Sequence, residues 1–164
     1  MSDIVQTQDK RRTFVDTLNK LGETDDRILV IIPDVGFNYL EGRKNFRIMN
    51  LGATEQTCIM MAVGLAKMGW KVYVYSMINF VLFRPAEMVR NGIVNHNVNV
   101  KLVGVKGSDK YKFLGFSHNL MHEKEDFNFC DNIGLKWHDP KDNKETEEVI
   151  KETYKEEKAC YIRL

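Results

Sequence analysis

The sequence predicts an α/β fold with a mostly parallel central sheet flanked by helices, built as a single domain over residues 1–164. The aliphatic run Ile28 to Ile32 is continuous, which is typical of a strand buried on both faces of a parallel sheet. Segments with helical spacing alternate with strand-like segments, as in α/β proteins. A length of 164 residues with 43% hydrophobic content suits one domain, and no linker or internal repeat interrupts it.

The first half of the chain contains two predicted helices. Apolar residues at helical spacing over Arg11 to Leu21 predict the first, which Gly22 ends. The segment Thr54 to Met68 predicts the second, and because it is apolar nearly all round we expect a helix buried on every side. Continuous aliphatic or β-branched residues predict strands at 28–32, 46–50 and 71–76.

The second half continues the alternation. Apolar spacing predicts helices at 85–95 and 143–156, and strands at 98–104, 135–138 and 159–162. Ligands of α/β sheets bind at the carboxyl ends of the strands, where we expect three loops. These predicted loops are Asp34 to Asn45, Ser76 to Arg84 and Gly107 to Asp126.

Charge and hydropathy exclude several classes of protein. The formal net charge is +1, from 24 basic and 23 acidic residues, which argues against a nucleic-acid binder or a binder of anionic membranes. The longest apolar stretch, Val72 to Phe83, is broken by Ser76 and Asn79 and falls short of the ~20 residues that a bilayer span needs. Residues 1–12 are polar and lack the apolar core of a signal peptide. We therefore expect a cytoplasmic protein.

The cysteines and histidines give no metal-binding pattern. Cys58, Cys130 and Cys160 are odd in number and widely spaced, so we expect free buried thiols. His118 and His122 lie four residues apart but lack the His-Glu-x-x-His order of a zinc helix, and solvent-facing loop histidines are the simpler interpretation. The sequence predicts no metal site in this chain.

Glu55 is the most informative polar residue in the sequence. It begins the apolar helix, where the helix dipole stabilises a carboxylate by about 0.3–1 kcal/mol, so it could be a helix-start residue and nothing more. A carboxyl buried on an apolar helix nevertheless needs a partner, and proton-transfer chemistry uses such groups. Phe80 and Phe83 are equally open to two interpretations, plain core packing or the lining of a flat ligand.

Several motifs resemble one known family. The segment R-I-M-N-L-G-A-T-E-Q at 47–56 resembles the R-x-x-N-x-G-I-x-E-Q signature of the transketolase pyrimidine-binding domain. The resemblance continues through 61–69, 84–91 and 99–104, through G-F-S-H at 115–118, which is similar to the family's G-P-T-H, and through Asp139, Pro140 and Asp142. It spans Arg11 to Leu164 and implies the thiamine-diphosphate-binding pyrimidine-domain fold.

The resemblance also implies a cofactor and the residues that hold it. In this family the glutamate that matches Glu55 hydrogen-bonds N1′ of the aminopyrimidine ring of thiamine diphosphate and so activates the cofactor. Phe80 and Phe83 match aromatic residues around that ring, and Met77 stands where many members place a stacking phenylalanine. Asp34 matches an aspartate that follows the family's first strand, and we count it among the cofactor-binding residues.

The substrate side of the family pattern is altered. His118 matches a catalytic histidine that faces the oxygen atoms of the substrate, but Leu114 stands where sugar-using transketolases tend to have an acidic residue. The family's Glu-Asp pair follows late, at Glu125 and Asp126, so His118 and His122 both remain candidates for the substrate contact. The substrate, a sugar or a 2-oxo acid, therefore stays open.

The diphosphate half of such a site is missing from the sequence. The chain has no Gly-Asp-Gly motif with its downstream asparagine, the residues that hold Mg²⁺ and the diphosphate in this family. The resemblance thus implies a separate diphosphate-binding subunit that carries the Mg²⁺, an α2β2 heterotetramer, and a chain that is inactive alone.

Three hypotheses for function follow. The first is the pyrimidine-binding subunit of a split thiamine-diphosphate-dependent transferase, a transketolase-like enzyme that moves a two-carbon ketol or acyl unit. The second is a non-catalytic regulatory or interaction protein on the same fold, which Met77 and Leu114 motivate. The third is the beta-type subunit of a 2-oxo-acid dehydrogenase.

Overall fold

A computed structural model describes residues 9–34, 40–42, 44–107 and 109–164. Residues 35–39 and 43, which belong to the first predicted loop, lie outside the described residues, as does Ser108 of the third. The polar N-terminal residues 1–8 lie outside them as well. No helix in the described part of the chain is long and apolar enough to cross a bilayer.

The described residues form one six-stranded sheet in which every pairing of neighbouring strands is parallel. The spatial order is β2-β1-β3-β4-β6-β5. This confirms the predicted α/β class and the parallel sheet. The strands are β1 Ile28–Ile32, β2 Arg47–Asn50, β3 Lys71–Met77, β4 Val100–Val105, β5 Trp137–His138 and β6 Cys160–Arg163.

Helices cover both faces of the sheet. They are α1 Lys10–Leu21, α2 Glu55–Lys67, α3 Ala86–Met88, α4 Glu125–Ile133 and α5 Asn143–Lys155. Helices α1 and α5 pack over one face, and α2 and α4 pack over the other, each layer enclosing its own apolar core. All three cysteines are free and buried in these cores, as predicted.

Two of the predicted loops are largely helical. The second contains a π-helical turn, Asn79–Phe83, and the third contains the 3₁₀ segment Asp109–Ser117 followed by α4. The prediction missed α4, although Gly134 ends it in the left-handed region (φ 72°) that favours glycine at a helix C-terminus. Its short length and its position after an aromatic and histidine-rich stretch hid the helical spacing of Phe127 and Cys130.

The expectation that α2 is buried on every side is wrong for the single chain. Cys58, Ile59, Ala62 and Val63 face the sheet and are buried. The opposite side of the helix is apolar but exposed, because the sheet can cover only one face. Met60 and Met61 on that side are 47% and 36% exposed, and Met68, which caps the C-terminus of the helix, is 71% exposed.

The strand order places a topological switch between β1 and β3. Strand β2, which follows β1 in the chain, lies on one side of β1, and β3, the next strand, lies on the other side of β1. In open α/β sheets the crevice at the carboxyl ends of two such strands is the usual ligand site. Asp34 follows β1 closely and Met77 ends β3, so both lie at this edge.

A buried cluster closes the carboxyl end of the sheet beneath α4. Asp126 is fully buried, and its Oδ2 accepts a hydrogen bond of 2.9 Å from the Tyr161 hydroxyl. Arg163 Nη1 donates to Asp126 Oδ1 at 3.4 Å and to the carbonyl oxygen of Glu123 at 3.0 Å. Burial raises the pKa of Asp126, so the fold disfavours its charged form. The cluster ties the start of α4 to strand β6.

Lys101 is a charged residue inside the opposite layer. It is 1% exposed, and its Nζ donates to Asn99 Oδ1 and, at 3.0 Å, to the carbonyl oxygen of Glu156. Burial lowers the pKa of Lys101 from 10.5 to about 8. The ammonium form is therefore tolerated in the fold only at a cost in stability.

The buried lysine makes a pH dependence of stability testable with the variant Lys101→Met. Between pH 8 and 10.5 the unfolded chain holds this proton and the folded chain does not, so the contribution of Lys101 to the free energy of unfolding rises with pH. From about pH 7 to about pH 10 we expect the wild type to gain about 2.5 kcal/mol relative to the variant. Urea unfolding of both proteins measures this difference, and parallel curves over that range would contradict it.

Candidate active site

The turn between β2 and α2 places Glu55 at the carboxyl edge of the sheet. Asn50, the last residue of β2, accepts backbone N–H bonds at its Oδ1 from Gly52 (3.0 Å) and from Asp34 (3.3 Å), which joins the ends of β1 and β2. Gly52 has a positive φ of 67°, which lets the chain turn sharply into the helix. The Thr54 hydroxyl donates to the Leu51 carbonyl oxygen at 2.9 Å, and α2 begins at Glu55.

The carboxylate of Glu55 is largely buried and paired with a cation. Its side chain is 12% exposed, and its Oε1 accepts a hydrogen bond of 2.6 Å from Arg84 Nη1. Bonds of this kind, between two charged groups, are short and about twice as strong as neutral ones. No described residue bonds the second oxygen, Oε2. The partner that a buried carboxyl requires is therefore Arg84 within this chain, and one oxygen stays open.

Arg84 also links Glu55 to the ring of Phe80, which forms the aromatic floor of the site. Its guanidinium carbon lies 3.9 Å from the centroid of the Phe80 ring, at cation–π distance. Phe80 is 4% exposed and belongs to the π-helical turn that follows β3. Its ring thus already carries a flat, cationic, N–H-bearing group on its face.

The ring of His118 lies against the same phenylalanine. The ring centroids of Phe80 and His118 are 5.1 Å apart and nearly perpendicular, at 78°. Tyr111 stacks on His118 from another side, at 6.2 Å and 12°. Glu55, Arg84, Phe80 and His118 therefore form one continuous series of contacts, which unites residues from α2, the π-helical turn and the third predicted loop.

The other predicted site residues lie less centrally. Met77 is buried at the end of β3, and Asp34 has a positive φ of 67° and is exposed at the end of β1. The Phe83 ring meets Phe129 of α4 edge-on at 5.9 Å, a contact of the helical layer. His122 is exposed, and within the described residues its side chain makes no hydrogen bond or ring contact. The roles of these residues stay predictions.

Three polar residues of the site escaped the sequence analysis: Arg84, Asn79 and Ser117. Asn79 is buried, and its Nδ2 donates to the carbonyl oxygens of Phe116 (2.8 Å) and Asn119 (3.4 Å). Its presence in the apolar run Val72 to Phe83 is the sequence signal that could have found it, because a buried amide needs partners. Arg84 and Ser117 lie inside the family-like segments 84–91 and 115–118, which marks their positions but does not indicate their contacts.

A cavity of about 540 Å³ adjoins the His118 segment at the carboxyl end of β4. Glu123 at the rim of the cavity forms ion pairs with Lys106 and Arg163. Hydrogen bonds from Lys106, which has the larger effect, and from Arg163 lower the pKa of the exposed Glu123 carboxyl. Its lining includes Lys106, Gly107, Lys112, Phe116, Leu120 and Glu123. The described residues contain no group of three His, Cys, Asp or Glu side chains that could hold a metal ion.

The fold and this site define the class of the protein: a parallel α/β domain with a largely buried glutamate beside an aromatic ring near its switch point. Residues 6–164 match the family described as transketolase, pyrimidine binding domain. The chain belongs to this family, which confirms the resemblance drawn from the motifs.

Similar proteins include components of transketolases. The chain is 30% identical over 117 residues to a subunit of the apulose-4-phosphate transketolase of Phocaeicola vulgatus, a match that covers 69% of this chain and 38% of that protein. It is 28% identical over 161 residues to the 6-deoxy-6-sulfo-D-fructose transketolase subunit SqwH of Clostridium sp., covering 94% of this chain and 48% of that protein. The chain thus spans half or less of the length of these relatives.

A solved structure supports the fold along nearly the whole chain. It is described as a split gene transketolase, inactive beta4 tetramer, and superposes with a TM-score of 0.81 at 26% identity. The match covers 94% of this chain and 50% of that one. The domain fold of this chain is therefore the pyrimidine-domain fold of transketolases.

Proposed function

We propose that the chain is the pyrimidine-binding part of a two-component, thiamine-diphosphate-dependent transketolase-like enzyme. Such an enzyme transfers a two-carbon ketol or acyl unit between sugar or 2-oxo-acid substrates. The observation that carries the proposal is the Glu55 carboxylate, which is 12% exposed at the start of α2, in line with Phe80 and His118. Relatives named as transketolase subunits support the reaction class.

The residues present fit the aminopyrimidine ring of the cofactor. Glu55 has an oxygen, Oε2, that no described residue bonds, which leaves a hydrogen-bond acceptor for a ring nitrogen. The Phe80 ring, with the Arg84 guanidinium on one face at 3.9 Å, supplies an aromatic wall next to this carboxylate, of the kind that suits a flat heterocycle. Met77 supplies a polarizable sulfur at the end of β3, where contact with an aromatic ring is favourable.

Each of these side chains has a distinct part in the proposed reaction. When bound, thiamine diphosphate supplies the nucleophilic carbon that accepts the two-carbon unit. Glu55 holds a proton at the ring nitrogen, and Arg84 keeps its carboxylate oriented through Oε1. Phe80 and Met77 exclude water from that contact, and His118 hydrogen-bonds an oxygen atom of the substrate.

A partner chain completes the site in this proposal. The sequence lacks the family motif for the diphosphate and Mg²⁺, and a related split gene transketolase is described as inactive in its beta4 form. The exposed methionine face of α2 supports association, because large apolar patches on a surface mark contact sites. We infer a diphosphate-binding, Mg²⁺-carrying partner in an α2β2 assembly, and inactivity of this chain alone.

Reconstitution tests the proposal. The chain is mixed with the product of a neighbouring reading frame that carries Gly-Asp-Gly and a downstream asparagine, then supplied with thiamine diphosphate and Mg²⁺. We expect two-carbon transfer from ketose or 2-oxo-acid donors by the mixture, and none by either chain alone. A complex that forms, but that neither binds thiamine diphosphate in calorimetry nor transfers a two-carbon unit, would contradict the enzyme hypothesis and support the regulatory one.

A further inference from the structure

The hydroxyl of Ser117 lies between a backbone carbonyl and the imidazole of His118. Its Oγ is 2.7 Å from the carbonyl oxygen of Leu114 and 2.7 Å from His118 Nδ1. Both distances are those of good hydrogen bonds, so the hydroxyl serves both neighbours at once. The two bonds differ in kind, because a carbonyl oxygen can only accept whereas an imidazole nitrogen can donate or accept.

The single proton of the hydroxyl decides the state of the imidazole. Ser117 must donate it to the Leu114 oxygen, since two oxygens without a proton between them would repel at 2.7 Å. Oγ is then an acceptor toward His118, and Nδ1 must carry the hydrogen. We infer that Ser117 fixes His118 as the Nδ1–H tautomer, whose Nε2 is a hydrogen-bond acceptor, and that Asn79 holds the segment in which this contact forms. Within the described residues Nε2 has no hydrogen-bond partner.

Asn79 holds the backbone on both sides of His118. Its side-chain amide donates to the carbonyl oxygens of residues 116 and 119, and it immediately precedes Phe80, whose ring contacts the imidazole. Gly107 approaches the same segment so closely that an added Cβ would lie 2.4 Å from the His118 carbonyl oxygen. The backbone of the His118 segment is thus fixed relative to the aromatic floor of the site.

The consequence for the substrate rests on the proposed function. An acceptor at Nε2 pairs with a hydroxyl group of the substrate and not with a carbonyl or other oxygen that lacks a hydrogen. Sites built around one such hydrogen bond reject analogues that cannot form it. Ser117 and Asn79 are therefore positioning residues that act through His118 and favour a donor or acceptor sugar with a hydroxyl at the contacted carbon.

Long-range ¹H–¹⁵N NMR of the histidine rings in the full chain tests the inference without any partner or cofactor. His96 and His122 are exposed and serve as internal references for the tautomer ratio of an unrestrained imidazole. In the wild type we expect His118 to show the Nδ1–H pattern at neutral to mildly alkaline pH. Ser117→Ala should shift its tautomer ratio by about fivefold toward that of the references, whereas Ser117→Thr, which keeps the hydroxyl, should restore it.

The variant Asn79→Ala examines the second half of the inference. We expect the His118 ring signals to broaden and the Nδ1–H preference to fall, while the folded NMR spectrum of the two core layers persists. A wild-type His118 with the tautomer ratio of His122, or a Ser117→Ala protein that keeps the Nδ1–H form, would overturn the assignment. If the tautomer is as stated but no mixture with a partner turns over thiamine diphosphate, the inference stands and the proposed function fails.

Discussion

Replacement of Glu55 by glutamine is expected to lower the thiamine-diphosphate-dependent turnover of the reconstituted enzyme by about 10²–10⁴-fold, the range for loss of a general acid–base group. Glutamine keeps the shape of the side chain and can still accept the hydrogen bond from Arg84, but it cannot hold a proton at a ring nitrogen as a carboxylate does. The measurement is the rate of two-carbon transfer at saturating cofactor, with cofactor binding followed by calorimetry.

A matched control separates the chemistry from helix stability. Glu87 lies in the first turn of α3 and is exposed, so Glu87→Gln makes the same chemical change near another helix start. We expect this control to keep wild-type turnover. Glu55→Gln should lose only about 1–2 kcal/mol of stability, from the helix-dipole contribution of the carboxylate and the weaker bond to Arg84. Wild-type turnover by Glu55→Gln would remove Glu55 from the mechanism.

The fold was predictable where local and global signals agree. The continuous aliphatic residues of β1 and the apolar spacing of α2 and α5 fixed their positions to within about two residues, an ordinary accuracy for element boundaries. The π-helical turn at Asn79–Phe83 and helix α4 were missed, because their aromatic and polar residues contact other elements and do not repeat at helical spacing. The exposed face of α2 was missed because the spacing of apolar residues shows which sides of a helix are apolar, but it does not show whether another element packs on each side.

The candidate site was predictable in part. Glu55 was singled out by its place on an apolar helix, the family resemblance assigned roles to Glu55, Phe80 and His118, and the structure brings these three into one series of contacts. Arg84, which joins Glu55 to Phe80, is 29 residues from Glu55 in sequence, and nothing in the local pattern links the two. The same applies to Asn79, whose partners lie 37 and 40 residues away. The spacing of residues along the sequence cannot predict such pairs, because these residues come together only when the chain folds.

The buried cluster at the base of α4 should be among the most sensitive positions for stability. In Asp126→Ala the Tyr161 hydroxyl loses its acceptor and the buried Arg163 guanidinium loses one of its anionic partners. An unsatisfied buried donor costs about 1–3 kcal/mol, and the cavity left by the deleted carboxyl group adds to it. We expect a loss of about 3 kcal/mol or more in the free energy of unfolding, measured by urea titration.

Asp126→Asn distinguishes the two contributions to that loss. The amide oxygen can still accept from Tyr161, while the amide nitrogen replaces the oxygen that faces Arg163, so the charge and the contact with Arg163 are removed. The 3.4 Å contact to Arg163 is long for an ion pair, Arg163 keeps Glu123, and burial already raises the pKa of Asp126, so the charge contributes little. We therefore expect Asp126→Asn to cost about 1 kcal/mol or less, and less than Tyr161→Phe, which leaves Asp126 Oδ2 without its donor and should cost about 1–3 kcal/mol. If Asp126→Asn were as damaging as Asp126→Ala, the ion pair with Arg163, and not the tyrosine hydrogen bond, would be what holds α4 to β6.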